Sequence, residues 1–261
     1  MIHSLDRYQP GHSPLHQGDP RVKVVVAFAL IGGIALTPER AWPAYPALWT
    51  LVAGLGALAG LSAGRLARLG SVALPFMLAA VPLLFTMPGE TLAIDGGIAI
   101  SQAGLARFTA ILLKSWLSVQ VALLLAMTTP FNDLVWALGS LRVPGTLVTL
   151  IAFMVRYLST LSDEAGRLLR ARAARSARAE GRPAGGSLWW RARVAGGMVG
   201  NLFLRSYERS ERVYAAMVAR GYAGEMRQLA PPALTWRAVM AGAVPLAILG
   251  LIQLAARVWW G

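Results

Sequence analysis

The intervals between consecutive charged residues decide the fold class of this chain. Residues 41 to 64, 69 to 89, 115 to 132 and 238 to 256 contain no Asp, Glu, Lys or Arg, run for 24, 21, 18 and 19 residues, and are rich in Leu, Ala, Val and Gly. A bilayer core roughly 30 Å thick is crossed by about 20 helical residues. In lipid the backbone must satisfy its own hydrogen bonds, which a helix does. A fifth run, residues 24 to 38, starts beside Lys23, whose stem can lie in the apolar layer while its ammonium reaches the headgroups. The sequence therefore predicts an all-α integral membrane protein with spans near 22–38, 44–61, 71–88, 108–128 and 238–261. With 56% hydrophobic and 14% charged residues, the chain does not suit a water-solvated globular surface.

Orientation follows from the arginines, because short cytoplasmic loops collect basic residues. Arg7, Arg21 and Lys23 precede the first run, and Arg65 and Arg68 occupy the loop after the second. Both regions are expected to be cytoplasmic. Glu39 with Arg40, and Glu90 with Asp95, mark the loops expected outside. The polar, proline-bearing stretch before residue 22 does not read as a cleaved signal peptide. Residues 1–145 form the expected membrane domain, which ends in a short interfacial helix over 130–141. There Thr129 is placed to cap the helix, Pro130 to open it and Asp133 to meet its positive end.

The net charge of +13 is not spread evenly. Residues 161 to 237 hold 14 of the 23 arginines against 6 acids. Residues 146–237 read as two long helices, 146 to 178 and 188 to 220, separated by Pro183, Gly185 and Gly186 and followed by Pro231 and Pro232. The first begins apolar and turns polar at Asp163 and Glu164, as a helix leaving the bilayer would. Asp163 with Arg167, and Glu208 with Arg212, are spaced as supporting pairs.

Several chemistries are excluded or poorly provided for. There is no cysteine, so disulfides, thiolate metal sites and cysteine nucleophiles are ruled out. Lys23 follows Val22 and Lys114 follows Leu113, so neither lysine completes a Walker phosphate cradle. The histidines, His3, His12 and His16, all lie before the first span, where they read as a polar segment rather than a metal site. An enzyme is not expected. Arg107, Lys114 and Arg156 lie in apolar surroundings, and no acidic partner is visible for the first two. They are expected to snorkel or face a wet cleft, with a substrate pathway or a partner contact as the alternative.

Two tripeptides point toward a partner: Ala174-Arg175-Ser176 on the first long helix and Ala219-Arg220-Gly221 on the second. Small neighbours let another backbone approach, while the guanidinium presents a planar fork for carboxylates or carbonyls. At Arg220 the helix is expected to stop, with Gly221 in the left-handed terminating position.

At these residues the sequence resembles the transmembrane T component of energy-coupling factor (ECF) transporters, of the cobalt-type CbiQ family. The likeness begins at Leu5-Asp6-Arg7-Tyr8 and Gly11-His12-Ser13-Pro14-Leu15-His16 and continues through Asp19-Pro20-Arg21-Val22-Lys23. It is most specific over Arg205-Ser206-Tyr207-Glu208-Arg209-Ser210-Glu211-Arg212-Val213-Tyr214 and the following residues up to Tyr222. The resemblance implies an importer subunit in the bacterial inner membrane, with its N-terminus and two coupling helices cytoplasmic. Its implied partners are two cytoplasmic ATPases, a substrate-binding S subunit that captures cobalt, and membrane lipid. It implies no cofactor on this chain, since ATP and Mg would sit on the ATPases. Ala174, Arg175, Ser176, Ala219, Arg220 and Gly221 would be the ATPase-coupling residues. Ala177-Arg178-Ala179 matches the first signature almost as well, so Arg178 is held in reserve. Nickel or a vitamin remains an alternative cargo. A stand-alone carrier would want polar groups at mid-membrane, which are not evident. A nucleic-acid or lipid binder would want aromatics interleaved with the arginines, and these are sparse.

Overall fold

The computed structural model describes residues 8–73, 75, 78–86, 91–94, 98–175, 187–224 and 233–260. Two compact units make up the chain, one from residues 6–137 with 232–261 and the other from residues 1–5 with 138–231.

In the first unit, Ser13 caps a short helix α1 (Pro14–Gln17), and Asp19 caps α2 (Pro20–Ala35) by accepting from the Arg21 N–H at 2.9 Å. Proline follows each cap at the first helical position, where its missing N–H costs nothing. Helix α3 (Ala44–Leu58) is followed by α4 (Ala63–Leu69), with a bend of 112° over the α3 and α4 to Ala73 pair. After a 3-10 turn (Gly70–Ala73) come α5 (Leu83–Thr86) and a two-stranded antiparallel hairpin, β1 (Thr91–Ile94) with β2 (Ile98–Ser101). Helix α6 (Gln102–Thr128) runs through the centre of the unit, and α10 (Trp236–Trp260) closes it against α2 and α3. The core is apolar and continuous: Leu30 and Ile34 of α2, Leu48 and Val52 of α3, Leu66 of α4, Leu117 and Val121 of α6 and Leu249 of α10 are all buried.

Glycine brings α10 close to α2. A Cβ on Gly33 would lie 2.8 Å from Leu249, and one on Gly242 would run into Val22. Between helices that share lipid as solvent, association depends on such close packing rather than on the hydrophobic effect.

The second unit holds the end of α7 (Phe131–Ser140), then α8 (Gly145–Arg175) and α9 (Leu188–Ala219). Ser187 caps α9, its hydroxyl accepting from the Trp190 N–H.

The all-α membrane architecture stands, with the hairpin as an addition in a loop. Among the described residues, three helices are long and apolar enough to span (α6, α8 and α10), and a fourth counts if bent α3 and α4 form one broken span. Residues 71–88, read from composition as one span, are not one helix here. Pro75 and Pro82 interrupt the run, and each lacks the N–H that would continue the ladder. Thr129 does not serve α7 as its cap either; its hydroxyl is buried without a hydrogen-bond partner.

Candidate functional site

The two lysines of the chain hold two helices together. Lys23, near the start of α2, donates to the Thr128 carbonyl at 3.1 Å, in the last residue of α6. Lys114, within α6, donates to the Ala35 carbonyl at 3.1 Å, in the last residue of α2. Each helix therefore supplies the ammonium that satisfies the other's orphaned C-terminal carbonyls, where the helix dipole favours a cation. Gln253 of α10 adds to the α2 end, its amide donating to the Gly33 carbonyl at 2.7 Å and the Thr37 hydroxyl at 2.8 Å. Arg107 pairs with Glu39 at 3.4 Å. The apparent lack of an acidic partner for Arg107 is thus corrected: Glu39 lies 68 positions away in the sequence, too far for pairing to be read from spacing. Arg156 is exposed.

In the second unit α8 and α9 run in opposite directions. Arg172 lies 5.9 Å from the Trp190 ring near one end, while Thr146 and Tyr222 line the same groove near the other. Between these points the helices are clamped by Glu164, which is 7% exposed although it belongs to a charged stretch. Arg205 Nη1 donates to its Oε1 and Arg209 Nη2 to its Oε2, both at 3.1 Å, and Arg167 approaches at 3.6 Å. A carboxylate held on both oxygens by guanidiniums from the facing helix fixes direction as well as proximity. Arg167 thus turns to Glu164 rather than to the expected Asp163, whereas the expected Glu208–Arg212 pair forms at 3.9 Å.

Beyond the clamp the helices open into a groove of about 590 Å³, walled by Phe153, Met154 and Tyr157 of α8 and by Val213, Tyr214 and Met217 of α9. At its edge α9 ends at Arg220. The Gly221 N–H bonds the Val218 carbonyl at 2.9 Å and the Tyr222 N–H bonds the Met217 carbonyl at 3.0 Å, with Gly221 at φ +83°. These two bonds are the Schellman closure, and an L side chain at Gly221 would be strained there. They turn the backbone at an exposed arginine.

Of the sequence candidates, Ala174 and Arg175 are exposed at the end of α8, and Ala219, Arg220 and Gly221 are exposed at the end of α9. Ser176 and Arg178 lie outside the described residues. Because the helices are antiparallel, the structure does not bring Arg175 and Arg220 together. The rise along α8 separates the two ends by roughly 40 Å. Sequence reasoning missed Glu164. Its signal was present in Arg205 and Arg209, four apart on one helical face with no acid of their own between them.

Residues 11–230 match the family model for CbiQ, cobalt transport protein. The chain belongs to the CbiQ family. It is 28% identical over 244 residues to the energy-coupling factor transporter transmembrane protein EcfT of Limosilactobacillus fermentum, covering 88% of each chain. It is 26% identical over 230 residues to the EcfT of Thermosediminibacter oceani, covering 85% of this chain and 84% of that one. The nickel permease LarQ of Lactiplantibacillus plantarum is 31% identical over 129 residues, 49% of this chain and 44% of that protein. The CbiQ chain is thus a non-catalytic, multi-pass membrane component of ECF transporters.

Proposed function

We propose that this T component transmits the closure of two cytoplasmic ATPases to a metal-capturing S subunit, and that the ion is cobalt. One observation carries the reading: two long helices locked to each other at Glu164, each ending in an exposed arginine, with the arginines at opposite ends of the pair. Two grips so far apart suit two partner subunits better than one. When the partners close, force on either end reaches the other helix through the clamp.

Arg175 and Arg220 are the anchoring side chains in this reading, set in Ala174-Arg175-Ser176 and Ala219-Arg220-Gly221, with Arg178 in reserve. The backbone turn at Gly221 orients Arg220, and small Ala219 leaves room for a groove wall. ATP and Mg belong to the partners. The arms face the cytoplasm of a bacterial cell whose inner membrane carries the helices, as the arginine distribution supports.

Copurification in mild detergent tests the grip. Arg220→Glu is expected to weaken ATPase recovery about a hundredfold without removing the chain from the membrane. Unchanged recovery after reversing Arg175, Arg178 and Arg220 together would refute the roles. The family's cobalt designation supports the ion, while the partial likeness to a nickel permease favours nickel as the second reading. Uptake of labelled cobalt against labelled nickel by the assembled complex separates the two.

A further inference from the structure

We infer that the start of α9 is an interfacial anchor for an anionic phospholipid surface, seated by Leu188, Trp189 and Trp190 and flanked by Arg193. Leu188 is 83% exposed and Trp189 74%, yet the turn that carries them is ordered by the Ser187 cap. Single exposed apolar side chains are ordinary. Three consecutive large ones on a capped first turn form a contiguous apolar patch, which marks an interaction surface.

The patch continues along the helix. At 3.6 residues per turn, Trp189, Phe203, Tyr207 and Tyr214 fall within about 40° of one another. All four are more than half exposed. The opposite side of α9 carries Arg205, Arg209 and Arg212, and the helix has no buried residue among those described. An arginine face set against an aromatic and aliphatic face is the pattern of a helix lying in the plane of a membrane interface.

Lipid is favoured over a protein surface by composition and by attachment. From Leu188 to Tyr207 the sequence holds Arg191, Arg193 and Arg205 and no acid, so the strip complements an anionic leaflet. Indole rings settle at headgroup depth, where the ring meets acyl chain and the N–H meets water. Helix α8 of the same unit has an apolar stretch long enough to enter a bilayer, which keeps α9 within reach of one. The anchor lies at the opposite end of α9 from Arg220. With that end held, a push at Arg220 becomes rotation of the arm instead of drift. The inference stands whether or not Arg220 meets an ATPase.

The absence of cysteine makes the test direct. Single variants Trp189→Cys and Glu208→Cys of the full chain are spin-labelled in vesicles of phosphatidylcholine and phosphatidylglycerol in equal parts. Collision with oxygen and with a water-soluble nickel chelate is then measured. The label at 189 is expected to be several-fold less accessible than that at 208 to the chelate while staying open to oxygen. That shielding is expected to fall in pure phosphatidylcholine and on adding Arg193→Gln. Equal chelate access at 189 and 208 would overturn the anchor. Shielding from both probes would also overturn it, by assigning the patch to a protein partner. Shielding indifferent to lipid charge would overturn the anionic preference. Leu188→Cys supplies the same reading if Trp189→Cys folds poorly, as judged by its melting temperature.

Discussion

The two units are built by opposite means from the same restricted alphabet. The unit containing α2, α6 and α10 buries a continuous core of Leu, Ile and Val, lets α10 approach α2 at Gly33 and Gly242, and reserves its two lysines for backbone carbonyls. In the paired arms, α9 buries none of its described side chains, and a single carboxylate joins it to α8. Close packing has one well-fitting arrangement and resists displacement. A clamp of half-exposed guanidiniums holds direction but leaves both faces of the arms open. A rigid body and a force-bearing pair of levers require this division.

The comparison breaks first at Glu164. Replacing it by Gln leaves the arginines of the facing helix without a charge partner. The expected outcome is a large broadening of spin-label distances between positions 153 and 213, with transport reduced about tenfold, a coupling loss in the range that interface changes produce. Salt sharpens the same point, because screening shortens to about 3 Å near 1 M. The arm distance should broaden at high salt in the unaltered chain, while the melting of the packed unit should not follow it.

The packed unit should fail instead by steric insult. Gly242→Leu forces a branched side chain into Val22 and is expected to destabilise by about 3 kcal/mol, at the upper range of overpacking, as read by thermal unfolding in detergent. Lys23→Met and Lys114→Met each remove the ammonium from a helix-end carbonyl and are expected to cost about 1–2 kcal/mol. Their effects should be non-additive, since both bonds join α2 to α6. Arm distances should be untouched in all three variants.

The smallest effect is expected at Arg142, which follows α7 with φ +66°. Its neighbour's N–H closes on the Leu138 carbonyl at 3.3 Å, the geometry that Gly221 serves without a side chain at the end of α9. Arg142→Gly should relieve the left-handed strain, partly offset by glycine's greater backbone entropy in the unfolded chain. The expected net gain is about 0.5 kcal/mol in melting experiments.

Much of the fold was legible because its signals are local. Charge-free runs gave the apolar helices, Asp19-Pro20 the start of α2, and Gly221 the end of α9. Prolines inside an apolar run were under-weighted at residues 71–88, where hydropathy and the helix ladder make opposite demands. The candidate arginines were legible as exposed residues at or near helix ends. That they stand at opposite ends of the pair was not, because helix direction depends on which faces meet.

Sequence alone determined that this chain must enter a membrane, that its arginines collect in one late segment, and where α9 must stop. Each follows from hydration cost or backbone sterics at single residues. Tertiary structure decided that Lys23 and Lys114 serve carbonyls 105 and 79 residues away, and that Glu164 joins guanidiniums 41 and 45 residues on. Pairings at such separations leave no periodic trace in a sequence. They form when packed faces bring a donor to an acceptor that would otherwise lose its hydration unpaired.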